Sequence, residues 1–139
     1  MTSATTVAQE PIGVWMISAD SHVTEPPDCY VARIERKYRE RAPRMMVGPA
    51  GGDVFVIDGL PGVVPMGILA AAGRDPREIR LDEARFEDLH RGGWDPRARL
   101  TDQARDGVAA EVIYPSVGLA LCNHTDGHFM RACFQAYNR

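Results

Sequence analysis

Apolar positions recur along this chain with distinct spacings, and each spacing predicts an element. Val14-Trp15-Met16-Ile17 is apolar without a break, the pattern of a strand covered on both faces, and predicts a short buried strand over 14–19. Pro26 and Pro27 end any extension of it. Tyr30, Val31, Ile34 and Tyr38 share one face of a helix predicted over 28–41, with Asp28 as N-cap and Pro43 closing it. Arginines interleaved with Glu35 and Glu40 mark the other face of that helix as solvated. Residues 45–47 and 53–57 are β-like runs on either side of Gly48-Pro49-Ala50-Gly51-Gly52, a hairpin turn. Asp58-Gly59 and Pro61-Gly62 mark further turns, 66–72 is an apolar loop, and 74–80 is polar linker.

Regular structure restarts at Trp94-Asp95-Pro96. Asp95 fits an N-cap, Pro96 the first helical position and Gly107 the C-terminal stop of a helix over 96–106. Val-Ala-Ala-Glu-Val-Ile-Tyr-Pro at 108–115 reads as a second buried strand. A helix, a glycine and a strand in that order form a βαβ unit, so the two strands should be parallel. Thr125 or Asp126 can cap a last helix from Gly127, with Met130, Cys133, Phe134 and Tyr137 as its apolar stripe. That stripe runs to Tyr137 and the chain stops two residues later, the pattern of a helix cut rather than finished. Residues 1–11 read as a frayed tail.

Composition narrows the picture. The chain has 139 residues, enough for one modest core. A net charge of −3 argues against nucleic acid as a partner. Cys29, Cys122 and Cys133 are odd in number and widely spaced, which argues against a disulfide framework and suits a reducing, cytoplasmic setting. Residues 1–10 lack the basic and apolar regions of a signal peptide, and no apolar run approaches the roughly 20 residues of a membrane span. Gly-x-Ser-x-Gly is absent, so a serine-hydrolase triad is not indicated.

The candidate chemistry lies at the end of the first strand, in Asp20-Ser21-His22-Val23-Thr24-Glu25-Pro26. Residues i and i+2 of a strand point to one face, so Asp20 and His22 should aim together just past the strand's end. A hard oxygen and an imidazole nitrogen converging there are the start of a divalent metal site, although most Asp-x-His triplets are surface turns.

This segment resembles the first metal motif of the amidohydrolase superfamily, in the amidohydrolase-related branch that also holds metal-dependent decarboxylases. Asp20 stands where a His is commoner. The stretch Arg99-Leu100, Asp106-Gly107-Val108 and Glu111-Val112-Ile113-Tyr114-Pro115 is similar to the second-strand region of the same family. The resemblance implies an α/β fold, the first part of a (β/α)8 TIM-type barrel with residues 28–94 as a long insertion over its C-terminal face. A whole barrel takes roughly 250 residues, so it also implies that the chain is the front part of a longer enzyme. It implies zinc or manganese held by Asp20 and His22, with further histidines from later strands and a late Asp, and a small-molecule substrate. The reaction implied is metal-activated hydrolysis or decarboxylation. Glu25 then orients the ligand or contacts substrate, or is a simple turn acid. Tyr114 and Ser116 flank the pocket at the end of the second strand, or Tyr114 is a buried barrel aromatic. His124 lies on the rim, for proton transfer or as a structural residue. Two other readings stand beside this one. An open piece of barrel leaves a raw sheet edge, which favours a catalytically silent, self-associating homo-oligomer. A complete small α/β domain of flavodoxin-like type is the third.

Overall fold

The computed structural model describes residues 14–71 and 73–139, so the tail expected at 1–11 lies outside the described residues. In chain order the elements are β1 (Met16–Val23), β2 (Arg44–Val47), β3 (Asp53–Val56), β4 (Val63–Pro65), α1 (Met66–Leu69), α2 (Pro96–Asp106), β5 (Val108–Pro115), α3 (Ser116–Leu121) and α4 (Gly127–Tyr137). Short 3-10 segments at Arg36–Arg41, Pro76–Glu78, Phe86–Asp88 and Arg91–Gly93 fill the connections.

Two sheets form. β1 and β5 pair in parallel, with His22 beside Tyr114 and Val23 beside Pro115. α2 makes the crossover between them. The Asp95 carboxylate accepts from the N–H groups of Arg97 and Ala98, Pro96 needs no partner at the first position, and Gly107 closes the helix in the left-handed region at φ 70°. β2, β3 and β4 form an antiparallel sheet in sequence order. The β2–β3 hairpin turns through 48–52, as its glycines predict, with Arg44 opposite Val56 and Val47 opposite Asp53.

The core does not lie on the parallel sheet. Tyr30, Ile34, Phe55, Ile57 and Met66 from the long β1–α2 connection meet Val117, Leu121, Phe129, Cys133 and Ala136 from α3 and α4. β1 and β5, expected to be buried, are largely exposed: Trp15 is 84% and Ile17 68% accessible, and Val112, Ile113 and Tyr114 are exposed as well. Each of these strands has one neighbour in the sheet, so the second edge and much of both faces stay open among the described residues.

Several elements differ from the sequence pattern. β1 runs to Val23, so Asp20 and His22 sit inside its last turns of pleat rather than beyond its end. The helix expected over 28–41 is broken. Residues 27–34 turn with Ala32 N–H on Asp28 O and Ile34 N–H on Tyr30 O, then Glu35 takes extended backbone and a 3-10 turn follows. Tertiary contacts override the helical spacing there, because Tyr30 and Ile34 enter the core while Arg41 is drawn to Asp58 and Asp126. The stripe on α4 is rotated: Phe129, Ala132, Cys133 and Ala136 are buried, and Met130, Phe134 and Tyr137 flank them. The loop expected over 66–72 begins as α1 with Met66 fully buried, and the third strand of the hairpin sheet was not indicated by spacing.

Candidate active site

At the C-terminal end of β1 the Asp20 and His22 side chains lie together, Asp20 Oδ1 standing 3.4 Å from His22 Nε2. Alternation along the strand brings them to one face, and a register shift in the β1–β5 ladder between Ser18 and Ser21 falls just ahead of His22. Both side chains are open to solvent, Asp20 more so than His22. Tyr114, the ladder neighbour of His22, holds its ring 6.1 Å from the imidazole at a tilt of 42°. Ser116 begins α3 one residue beyond β5.

The pair fits two corners of a metal site. Oxygen and nitrogen donors on a tetrahedral zinc, each about 2.0–2.2 Å from the ion, stand roughly 3.4 Å apart. Among the described residues no third His, Cys, Asp or Glu gathers with them.

Glu25, three residues on, is built into the core. It is fully buried. Its Oε1 accepts from the Tyr30 hydroxyl at 2.8 Å and from Gly118 N–H at 2.8 Å, and its Oε2 accepts from Val117 N–H at 2.9 Å. A buried carboxylate is tolerated only with such partners, and here they include the free N–H groups that open α3. The arrangement ties the exit of β1 to the exit of β5. Gly118 suits this close approach, because a Cβ there would stand 2.5 Å from Pro115 Cγ. Burial and the neighbouring Glu25 push the Tyr30 phenol far above its ordinary range, so it stays a donor. These surroundings give Glu25 a structural task, with both carboxylate oxygens engaged inside the protein.

His124 is also buried. Its Nδ1 accepts from Asp126 N–H at 2.9 Å, which puts the ring proton on Nε2, and Nε2 meets Asp58 O at 2.8 Å. The ring packs on Phe129 with centroids 4.9 Å apart. It joins the 58–59 turn to the start of α4, and both nitrogens are occupied. Asp126 completes this joint: its carboxylate accepts from Phe129 and His128 N–H and pairs with Arg41, and the Phe129 N–H first, then Arg41, hold it below the usual carboxylate range.

Sequence spacing did not single out Arg99. Its guanidinium lies between α2 and both strands, with Nε on Glu111 Oε2 at 2.5 Å and Nη1 on the carbonyls of His22 at 2.9 Å and Gly92 at 3.3 Å. Arg99 and Glu111 are only 15% and 12% exposed. The available signal was Glu111, the one charged residue in the run 108–115, whereas Arg99 is one of three arginines on α2.

Neither a protein-family model nor a curated protein matches the chain. Among solved structures it is similar in fold to an amidohydrolase from Mycobacterium avium subsp. paratuberculosis K-10, with a TM-score of 0.59 over 91% of this chain and 20% identity. The chain spans 37% of the length of that protein. The mixed α/β architecture with its parallel β1–β5 pair is thus one found in an amidohydrolase. No helix among the described residues is long and apolar enough to cross a membrane.

Proposed function

We propose that the chain carries the first-motif part of an amidohydrolase-type barrel and belongs to a metal-dependent enzyme that hydrolyses a small-molecule substrate. The observation that carries this reading is the convergence of Asp20 and His22 at the C-terminal end of a strand paired in parallel, the end at which barrel enzymes place their chemistry. The fold likeness to an amidohydrolase supports it. Asp20 and His22 would hold a divalent ion, zinc or manganese. That ion would supply Lewis acidity toward water and a substrate oxygen. Tyr114, exposed beside His22, is placed to contact substrate, and Ser116 lies at the same strand end. Glu25 and His124 hold the strand ends and the α4 entrance rather than the substrate.

The test is turnover by the zinc- or manganese-loaded protein on panels of esters, lactones, amides and aromatic acids. Metal-dependent hydrolysis that disappears in His22→Ala supports the reading. Release of carbon dioxide from an aromatic or unsaturated acid, without hydrolysis, replaces it with a carboxy-lyase. A second reading is favoured by the exposed apolar side chains of Trp15, Ile17 and Val112: a silent, self-associating chain. Concentration-dependent assembly without metal binding would select it.

A further inference from the structure

We propose that Arg99 is the positioning residue for His22. The proposal rests on the reading of Asp20 and His22 as metal ligands and concerns how the second of them is aimed. The β1–β5 ladder is irregular between Ser18 and Ser21 and resumes in register at Ser21, His22 and Val23, so His22 lies in the short paired run that follows the irregularity. A second constraint comes from the other side. Arg99 Nη1 donates to the His22 carbonyl, and one residue further on Thr24 N–H donates to Gly93 O at 2.8 Å. The two successive peptides that follow the His22 Cα are therefore held from the segment before α2 and from α2 itself.

Arg99 is itself held. Nε is spent on Glu111, which stands on β5 opposite Ser18, and the second Nη1 bond goes to Gly92 O. One rigid planar group thus spans β5, β1 and the turn at Arg91–Gly93. A lysine reaches a single acceptor well and cannot hold this fork. Loss of a partner bonded to the ligating group itself changes metal affinity by about 10–100-fold, and Arg99, which acts through the His22 backbone, belongs at the low end of that range.

The experiment titrates the full chain with Co2+, reading the d–d spectrum for affinity and ligand field and backbone 15N relaxation at His22 and Val23 without metal. Arg99→Lys and Arg99→Gln are compared with wild type, with Arg105→Gln as a surface control. The expected result is Co2+ binding about tenfold weaker in both Arg99 variants with an altered spectrum, increased mobility at His22 and Val23, and no change in the control. A purely structural Arg99 would lower the melting temperature and leave the spectrum and affinity as in wild type, which overturns the proposal. If wild type binds no Co2+, the ligand reading fails by itself, and the relaxation data decide: unchanged mobility at His22 in both variants overturns the positioning role too. If Arg99→Gln does not fold, Arg99→Gln with Glu111→Gln removes both charges together and is read in the same way.

Discussion

The Tyr30 hydroxyl donates to Glu25 Oε1 at 2.8 Å, inside the core and beside the first turn of α3. Three donors converge on this one carboxylate, so its loss is a loss of three partners. Glu25→Gln keeps one acceptor and turns an amide toward a backbone N–H; it should cost about 1–3 kcal/mol. Glu25→Ala leaves all three donors buried and unmatched and should cost more. Urea denaturation followed by circular dichroism measures both. If Glu25 faces substrate instead, stability changes little and activity falls.

Gly59 and His124 make a second joint that is sensitive to one methyl group. Gly59 has φ +79°, and a Cβ there would stand 2.7 Å from His124 Nε2. Gly59→Ala should destabilise by about 1–3 kcal/mol, combining backbone strain with displacement of the imidazole. His124→Ala should lower stability by a similar amount, about 1–3 kcal/mol, because Asp126 N–H loses its acceptor. Thermal unfolding checks both, and metal binding at Asp20 and His22 should be unaffected by either.

Glu111 sets part of the acid stability. Burial pushes its carboxyl up, but hydrogen bonds from Arg99, Gln103 and Ser21 outweigh this and hold it below the ordinary range. A carboxyl lowered on folding stabilises the fold at pH above its unfolded value, about 4.3. That contribution is lost as pH falls through the lower folded value. Stability measured by urea titration should therefore decline from about pH 5 downward, and the decline should be shallower in Glu111→Gln. It should not vanish, because Asp95 and Asp126, each lowered first by a backbone N–H at a helix start, act in the same direction.

Much of this was legible where local chemistry decides structure. The Asp95-Pro96 start and the Gly107 stop place α2 at Pro96–Asp106, and the turn glycines place the β2–β3 hairpin. The parallel pairing of β1 and β5 followed from helix, glycine and strand in order. What could not be read was decided by partners distant in sequence. The 28–41 helix breaks at Glu35 because Tyr30 seeks Glu25 and Arg41 seeks Asp58 and Asp126. Val14 to Ile17 has the composition of a covered strand but lies exposed, since periodicity says what a segment would bury and not what is present to cover it. Asp20 and His22 were visible as a spacing, whereas the partners of Arg99, a residue of the second-strand resemblance, were not, because Glu111 and His22 lie 12 and 77 residues away.

Asp20 and His22 are proposed to take a divalent ion. The most direct measurement is a titration of the 15N-labelled chain with Mn2+, mapping paramagnetic broadening residue by residue. Ion binding at this pair predicts broadening centred on Asp20 and His22, spreading to Tyr114, and lost in His22→Ala while the remaining spectrum is retained. Broadening centred elsewhere, or a pattern unchanged in His22→Ala, would contradict it.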